Sequence, residues 1–345
     1  MKLRTLGRSG AAVSSYALGT MTFGTESDEE QAHAQLDAFV EAGGTLVDTA
    51  DVYSAGASEE IIGRWLAARP RAVTDALVLA TKGRFPTGSG ANDVGLSRRH
   101  LRSALEASLR RLGVEHVDLY QVHSWDPLTP VEETLGFLDD AVRAGKISYA
   151  GLSNFTGWQL QRAVDVAEHR GLASRPVTLQ PQYNLLAREI EWEIVPAALA
   201  SGLGLLPWSP LGGGWLTGKY RRDQAPVGAT RLGENPNRGV EAYHRRAAAE
   251  RTWAVVDTVA RIAAEQGCSM PAVALSWLHD RPGVTSVILG ARTVDQLREN
   301  LAAVHVRLSP EQTAELDRVS DPGAADYPYG GPGLEQRSRV LQGEL

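Results

Sequence analysis

Short apolar runs alternate with amphipathic segments along almost the whole chain of 345 residues. Continuous runs of this length are typical of strands that are buried on both faces, as in a parallel sheet covered by helices. The pattern therefore predicts eight strands separated by helices. The predicted strands lie at 16–19, 45–48, 77–82, 117–123, 147–153, 177–180, 203–208 and 284–290.

The segments between these runs carry helix signals. Ser97 is a helix-capping residue, and Gly113 lies where a left-handed C-terminal cap is expected. Between them, four leucines share one helical face: Leu101, Leu105, Leu109 and Leu112. Thr129 and Pro130 predict the start of another helix, with the threonine as the N-cap and the proline at the first helical position. The same capping spacing recurs at Ser27/Glu30, Thr156/Gln159, Thr293/Gln296 and Ser309/Gln312.

Eight strands alternating with helices predict an α/β fold of the (β/α)8 TIM-barrel type, occupying residues 1–345 as one domain. An open doubly wound sheet is the alternative. Residues 3–13 predict a β-hairpin before the barrel, and an extra helix is expected near the C-terminus. The stretch 210–245 is too long for a plain strand-to-helix connection, and long loops are lids, binding loops or disordered segments. The tail 321–345 is expected either to cover the barrel mouth or to contact a neighbouring subunit of a homo-oligomer.

Polar side chains close most of the predicted strands. In a TIM barrel the C-terminal ends of all strands meet on one face, where active sites are built. A single polar residue in this position often means only that a strand has left the core, but six that converge on one mouth favour catalysis. These residues are Asp48, Lys82, His123, Ser153 with Asn154, Gln180 and Ser209.

Four of the residues near this mouth predict proton-transfer chemistry. A free tyrosine has a pKa of about 10, and an ammonium group nearby favours the phenolate and lowers that pKa. Asp48, Lys82 and Tyr53 would therefore make a tuned proton donor, while His123 orients a carbonyl oxygen. No metal is needed. Each residue taken singly also has a purely structural explanation. Asp48 fits a turn, Lys82 fits a lysine at the surface, and His123 fits a histidine that is hydrogen-bonded at a strand end.

Composition excludes several other classes of function. The formal net charge of −6 gives no global basic field that would favour nucleic acid or an anionic membrane. No run approaches the roughly 18 apolar residues of a membrane span. The N-terminus lacks the apolar stretch of a signal peptide, which predicts a cytoplasmic protein. The single cysteine, Cys268, cannot form an internal disulfide.

At the residues of this mouth the chain resembles the aldo-keto reductase superfamily, and the resemblance covers nearly the whole sequence. The matching motifs are 46–53 with Asp48 and Tyr53, 80–82, 117–123, 151–155 and 179–184. Trp208 and the segment 208–220 are similar to the branch that includes bacterial general reductases and potassium-channel β subunits.

The resemblance implies a barrel in which Tyr53 is the general acid, Asp48 and Lys82 tune it, and His123 positions a small-molecule carbonyl substrate. Apart from the resemblance, the loops at the predicted mouth suggest a substrate pocket of Phe23, Tyr53, His123 and Trp125. Met21 and Trp215 are further candidates for its apolar wall, and packing within the loops explains each of these apolar side chains equally well. The cofactor-binding residues that it implies are Gly19, Thr20, Met21, Asp48, Ser153, Asn154, Gln180, Trp208, Ser209, Pro210, Leu211, Gly212, Gly214, Lys219, Arg231, Gly290, Arg292, Gln296, Glu299 and Asn300.

The expected cofactor is NADPH/NADP⁺, with NADH as the alternative. Some relatives bind the 2′-phosphate of NADPH with a Lys-Ser pair at the positions of Gly290 and Ala291. This chain lacks that pair, so the contact does not carry over. Arg292 is the expected substitute, because a guanidinium suits phosphate recognition. Gln296, one of the expected cofactor-binding residues, has a structural explanation as well, because it can form a helix-capping box with Thr293. Residues 213–219 resemble a phosphate-binding loop, but Tyr220 replaces the hydroxyl residue that binds magnesium.

Three functions fit this sequence. The first is a reductase of aldehydes or ketones, and the second is a cofactor-binding regulatory subunit of the channel β kind. The third is a lyase or isomerase that uses Lys82 as a Schiff base.

Overall fold

Ten strands appear in the part of the chain that the computed structural model describes, residues 1–337 except 223, 225, 227–230, 236–240, 242 and 325. Two of them, β1 (Leu3–Thr5) and β2 (Ala12–Ser14), form the predicted antiparallel hairpin. The other eight form one parallel sheet in the order β10-β3-β4-β5-β6-β7-β8-β9. These strands are β3 (Tyr16–Gly19), β4 (Leu46–Asp48), β5 (Val78–Gly83), β6 (Val117–Val122), β7 (Ile147–Ser153), β8 (Pro176–Gln180), β9 (Gly204–Leu205) and β10 (Val287–Leu289).

Helices follow the barrel strands and cover the outside of the sheet. Over the same described residues they are α1 (Glu29–Glu41), α2 (Ala57–Ala67), α3 (Arg71–Thr74), α4 (Arg98–Leu112), α5 (Val131–Arg143), α6 (Gly157–His169), α7 (Ile194–Ala200), α8 (Arg231–Glu234), α9 (Tyr243–Ala247), α10 (Glu250–Gln266), α11 (Met270–His279), α12 (Val294–Leu301), α13 (Pro310–Ser320) and α14 (Gly331–Arg337). None of the described helices combines the length and the apolar composition that a bilayer crossing requires.

Backbone hydrogen bonds between the first and last edges close the sheet into a barrel. The amide of Leu205 donates to the carbonyl of Gly283 at 2.8 Å, and the amide of Thr285 donates back to Leu205 at 2.9 Å. Further along, the amide of Ile288 donates to Pro207 at 3.0 Å. The prediction of a (β/α)8 barrel is therefore confirmed, and the open sheet is excluded.

Two of the predicted strands are shorter than their apolar runs. The run 203–208 gives only Gly204–Leu205 because Pro207 has no amide hydrogen to extend the ladder, and the run 284–290 gives Val287–Leu289. Both runs nevertheless stay in line with the barrel wall, since the Trp208 amide donates to Pro181 and the Ile288 amide donates to Pro207, each at 3.0 Å.

The helix caps were predicted with mixed success. Ser97 accepts a hydrogen bond from the His100 amide, and Gly113 is left-handed with φ 67°, as expected. The prediction of Thr129 as a cap was wrong: Pro130 holds that position, because the threonine hydroxyl donates to Asp126 instead. The prediction of Ser27 as an N-cap was also wrong, since Asp28 caps α1. The spacings at Thr156/Gln159 and Ser309/Gln312 both form complete capping boxes.

The hairpin blocks the N-terminal end of the barrel. Leu6 and Val13 are fully buried against barrel-interior residues such as Leu46 and Leu119. Gly7 has φ 57°, and a Cβ there would lie 2.0 Å from the carbonyl oxygen of Val177, so the close approach requires glycine. The open mouth is therefore the C-terminal end, where the polar strand ends meet.

The described part of the C-terminal tail packs beside that mouth. The ring of Tyr329 stacks on Trp192 with centroids 5.8 Å apart, and its hydroxyl donates to Glu193 at 3.1 Å. Both partners lie directly before α7, on the segment that follows β8. Residues 338–345 of the predicted covering tail lie outside the described part of the chain.

Candidate active site

Lys82 and Asp48 form a buried ion pair at the ends of neighbouring strands. Lys82 Nζ lies 2.6 Å from Asp48 Oδ2, and their side chains are 0% and 3% exposed. The same ammonium donates to the Thr49 carbonyl at 2.8 Å and to the Tyr53 hydroxyl at 3.3 Å. β4 and β5 pair in parallel with Asp48 opposite Ala80, so consecutive strand ends bring the three side chains together.

Two glutamine side chains hold the other oxygen of Asp48. Gln121 Nε2 and Gln180 Nε2 donate to Asp48 Oδ1 at 3.0 Å and 2.9 Å. A carboxylate that accepts several hydrogen bonds and faces an ammonium is held in one orientation. The aspartate is therefore fixed before any ligand binds.

The pKa of Lys82 is raised, although burial alone would lower it, because Asp48 and Tyr53 favour the ammonium. For Tyr53 the expected direction was wrong. Burial raises the pKa of the phenol above its ordinary value, and Lys82 opposes that rise without reversing it. Tyr53 therefore carries its proton at neutral pH, and the ammonium beside it stabilises negative charge on the oxygen only when that proton leaves.

His123 lies beside the tyrosine and is 8% exposed. Its ring packs edge-on against Tyr53 at 5.9 Å and against Phe85 at 4.7 Å. Burial, reinforced by the positive charges of Lys82 and Arg84, lowers the pKa of His123 to about 2. Its Nδ1 atom is buried and has no hydrogen-bond partner among the described residues. The ring is therefore a neutral polar group in an otherwise cationic corner.

Ser153, Asn154 and Trp208 form a second polar group on the far side of the mouth. Asn154 has φ 55°, and its Nδ2 donates to the backbone carbonyl of His123 at 2.9 Å. The Trp208 indole donates to Asn154 Oδ1 at 3.1 Å, and the Ser153 hydroxyl donates to the Gln180 carbonyl at 2.9 Å. Gln180 Oε1 accepts no hydrogen bond from any described residue. A half-buried indole ring and a spare amide oxygen are thus available on this side of the mouth.

The segment that follows Trp208 is a series of tight left-handed turns. Ser209 has φ 53°, Gly212 has φ 58° and Gly214 has φ 97°. A Cβ on Gly214 would lie 2.2 Å from Lys219 Cε, so the lysine folds back across the turn. The amides of Gly212 and Gly214 donate to Ser209 and Leu211 within the segment. Pro210 and Leu211 belong to the same turns, and the Arg231 side chain lies outside the described part of the chain.

Arg292 and its neighbours lie beyond β10. Arg292 Nε lies 2.5 Å from Glu26 Oε2, an ion pair that the sequence did not suggest. Gln296 accepts from the Arg292 amide at 2.9 Å, which gives it a structural role of the kind expected from its spacing to Thr293. Asn300 donates to the Gly290 carbonyl at 3.3 Å, and Glu299 is exposed.

The predicted residues after β3 divide into buried and exposed ones. Thr20 is buried and donates to the Asp48 carbonyl at 3.1 Å, directly after the half-buried Gly19. Met21 is 39% exposed. Phe23, in contrast, is fully buried in the core, and its side chain has no surface toward a substrate. The prediction of Phe23 as a pocket wall therefore fails, because the chain turns inward at this position. The same holds for Trp215, whose ring is enclosed by Tyr220, Tyr243 and Trp253.

Trp125, in contrast, remains at the rim. Its ring packs edge-on against Phe155 at 5.4 Å and against Trp158 at 5.3 Å. Since Trp158 is 59% exposed, the two indoles leave an apolar edge where the chain follows His123 by two residues. The described residues contain no group of three or more His, Cys, Asp or Glu side chains arranged to hold a metal.

Comparison with known proteins decides the family. The model of the aldo/keto reductase family matches residues 16–321. The chain belongs to the aldo/keto reductase family. It is 38% identical to an uncharacterized oxidoreductase, YrpG, of Bacillus subtilis (strain 168), over 97% of this chain and 98% of the relative. It is 37% identical to a probable voltage-gated potassium channel subunit beta of Oryza sativa subsp. japonica, over 92% and 96% of the two chains. It is also 34% identical to versiconal hemiacetal acetate reductase of Aspergillus parasiticus, over 94% and 98%.

Membership of the aldo/keto reductase family makes the chain an oxidoreductase of a class that generally uses nicotinamide cofactors. Several polar residues of this mouth are not among the site residues predicted from the sequence. Gln121 is a polar residue inside an apolar run, a signal that was available, whereas nothing in the sequence pairs Glu26 with Arg292. Asp51 is 3% exposed and both of its oxygens lack a partner among the described residues. The roles of the individual site residues remain predictions.

Proposed function

We propose that this protein reduces an aldehyde or ketone to an alcohol, with Tyr53 as the proton donor and a reduced nicotinamide cofactor as the hydride donor. One observation carries the proposal: Lys82 Nζ lies 3.3 Å from the Tyr53 hydroxyl and 2.6 Å from Asp48 Oδ2. A phenol is a weak acid at neutral pH, and it needs a fixed positive charge beside the oxygen to release its proton.

The side chains divide the work of the proton step. The Tyr53 O–H bond breaks as its proton passes to the carbonyl oxygen, and the negative charge left on the phenolate faces the Lys82 ammonium. Asp48 and its glutamine partners keep that ammonium in place, so little reorganisation accompanies the step. His123, neutral because its pKa is lowered to about 2, orients the carbonyl without competing for the proton.

The groups beside Asp48, Lys82 and Tyr53 fit a nicotinamide dinucleotide. Gln180 Oε1 is a spare acceptor for a carboxamide, and Trp208 offers a half-buried ring for stacking. Lys219 and Arg292 are cations farther along the same side of the mouth, suited to phosphates. When bound, the cofactor supplies the hydride that the carbonyl carbon accepts. Arg292 favours NADPH over NADH.

The Tyr53→Phe variant tests this proposal. Removing the hydroxyl is expected to lower kcat for a reactive aldehyde by about 10²- to 10⁴-fold, the range for a general acid. The dissociation constant for NADPH, measured by quenching of tryptophan fluorescence, is expected to stay within twofold. Near-wild-type turnover in the variant would show that the proton comes from another group.

A second candidate is a cofactor-binding regulatory subunit, favoured by the 37% identity to a probable potassium channel subunit beta. A panel of aldehydes, ketones, sugars and quinones separates the two. Oxidation of NADPH by any of them supports the reductase, whereas tight cofactor binding without oxidation across the panel supports the regulatory subunit.

A further inference from the structure

Arg84 is a charged residue at the mouth that the proton step does not use. It follows β5 and comes two positions after Lys82, so it lies at the end of the strand that carries the ammonium. Its side chain is half-buried, and the Nε atom is buried without a hydrogen-bond partner among the described residues. The one hydrogen bond of its side chain is a long one, from Nη2 to the Trp125 carbonyl at 3.4 Å.

Arg84 differs from every other buried or half-buried arginine side chain that the structure describes. Ten such arginines each have a carboxylate oxygen within 4.0 Å, and Arg84 has none. A partly desolvated guanidinium without a counter-ion is costly, because it loses water without gaining an ion pair. An unpaired cation of this kind is typical of a site that awaits an anion. The ten paired residues are Arg4, Arg69, Arg98, Arg111, Arg175, Arg188, Arg246, Arg251, Arg281 and Arg292.

The surroundings of Arg84 connect it to the carbonyl site. Its guanidinium carbon lies 5.0 Å from the centroid of the Phe85 ring, and that ring contacts His123 at 4.7 Å. Asp126 is near enough for Arg84 to help lower its pKa, but the Asp126 oxygens are engaged by Leu96, Leu128 and Thr129. The neighbouring carboxylate therefore serves its own loop, while the guanidinium is near enough to His123 to add to the effect of burial and Lys82 on the pKa of that ring.

The strand order separates Arg84 from the expected cofactor. Gln180, Trp208, Lys219 and Arg292, the groups proposed above to hold the dinucleotide, lie at or after the ends of β8, β9 and β10, whereas Arg84 follows β5, between the strands that carry Tyr53 and His123. An anion bound by Arg84 would therefore belong to the substrate and not to the pyrophosphate or the 2′-phosphate.

We infer that the physiological substrate is a carbonyl compound that bears a carboxylate, which Arg84 binds while Tyr53 and His123 hold the carbonyl. This inference rests on the proposed reduction and names its substrate class. A planar guanidinium matches a planar carboxylate with two parallel hydrogen bonds. A phosphate dianion would need more positive charge than one arginine beside Asp126 provides in a chain of net charge −6. Arg84 connects to Tyr53 only through successive ring contacts of Phe85 and His123, so a substrate that reaches both needs a spacer between its carboxylate and its carbonyl.

Matched substrate pairs test the inference. For 4-carboxybenzaldehyde and its neutral isostere 4-formylbenzamide, and for the 3-substituted pair, kcat/KM is measured with NADPH at low salt. The wild type is expected to favour the carboxylate at least tenfold in one pair, and that ratio should fall as salt screens the charges. Reduction of the amides alone tests the proposed reductase, so the two ideas can fail separately.

Arg84→Gln is expected to lower the carboxylate-to-amide ratio at least tenfold, mainly through KM, while Arg84→Lys keeps part of the preference. Arg71→Gln is the matched control, because Arg71 is exposed and precedes β5 at the opposite end of the barrel. Terephthalamate, a carboxylate that cannot be reduced, should bind the wild-type protein with NADP⁺ at least tenfold more tightly than it binds Arg84→Gln in calorimetry.

Three results would overturn the inference. The first is an equal rate for carboxylate and amide in the wild type, and the second is an equal loss for both in Arg84→Gln. The third is unchanged terephthalamate binding in that variant. If no carbonyl compound of any kind is reduced, the proposed function fails and takes this inference with it.

Discussion

The two halves of the barrel mouth hold polar groups of different kinds. The half formed by β4, β5 and β6 holds the buried Asp48–Lys82 ion pair, a tyrosine, and a half-buried arginine without a carboxylate partner among the described residues. The half formed by β7 to β10 has neutral amides, a serine and an indole that bond to one another, and its ion pair between Glu26 and Arg292 is 15% and 20% exposed.

This difference separates chemistry from binding. Charges fixed inside the barrel act strongly, because the surroundings screen them little and they need no rearrangement when a reaction creates new charge. Neutral groups on turns and loops can accommodate a long flexible ligand without large electrostatic cost. Variants of the buried groups of the first half should therefore change stability, pH dependence and rate, whereas variants of the second half should change only affinity.

The largest effect is expected for Lys82→Met. The variant leaves Asp48 buried and without its counter-ion, which costs about 3–5 kcal/mol of the free energy of unfolding. Carbonyl reduction should also be lost, because nothing then stabilises the Tyr53 phenolate. Urea unfolding and steady-state kinetics measure the two losses.

The double variant Asp48→Asn with Lys82→Met separates the loss of stability from the loss of activity. Removing both charges should restore most of the stability and none of the activity. If Lys82→Met alone kept full activity, the contrast between the two halves would lose its chemical basis.

The residues of the first half were predictable because they lie on regular strands. Asp48, Lys82 and His123 each end an apolar run, and the closed parallel barrel brings such ends to one face whatever the loops do. Their pKa values were not predictable, since those depend on burial. Tyr53 shows this: the sequence indicates a lysine nearby, but only the structure shows that burial outweighs it.

Asp51 should give the next largest effect, and it depends on pH. Burial, together with the charge of Glu59, raises the pKa of Asp51 to about 7, whereas an unfolded aspartate titrates near 4. The folded state therefore binds the extra proton, and its stabilising contribution is lost as the pH rises from about 4 to 7. Relative to Asp51→Asn, the wild type should lose up to about 4 kcal/mol over that range.

Urea unfolding of both proteins between pH 4.5 and 8 measures this difference. Any constant cost of the asparagine amide cancels in the slope. Parallel curves for the two proteins would contradict the raised pKa.

His123 should give a smaller change of opposite sign. Its folded pKa of about 2 lies below the value of about 6.5 for an unfolded histidine, so the unfolded state binds more protons as the pH falls. Between pH 6.5 and 5 the wild type should lose about 2 kcal/mol relative to His123→Asn. The same unfolding series on this variant measures the loss. A variant that loses as much stability as the wild type on acidification would show that His123 titrates normally.

The second half was predictable only as a set of residues and not as an arrangement. Loops are fixed by local turns and by tertiary partners that no periodicity reveals. Loops elsewhere show the same limit, since Phe23 after β3 proved to be core and Thr129 after β6 serves Asp126. In this half Arg292 is paired with a glutamate 266 positions earlier in the sequence. The pairing matters because a guanidinium that already holds a carboxylate is a weaker partner for a phosphate.

The smallest effect concerns that pair. If Arg292 binds the 2′-phosphate, Arg292→Ala should raise the dissociation constant for NADPH about tenfold, the loss of one charge-assisted contact, and change that for NADH little. Glu26→Gln should act in the opposite direction, strengthening NADPH binding a few-fold, because the amide neither competes for the guanidinium nor repels the phosphate. Fluorescence titration of both variants with both cofactors measures these shifts, and their unfolding curves should match the wild type. Equal changes for NADPH and NADH would place the 2′-phosphate elsewhere, and a large loss of stability would mean that this half, too, depends on buried charge.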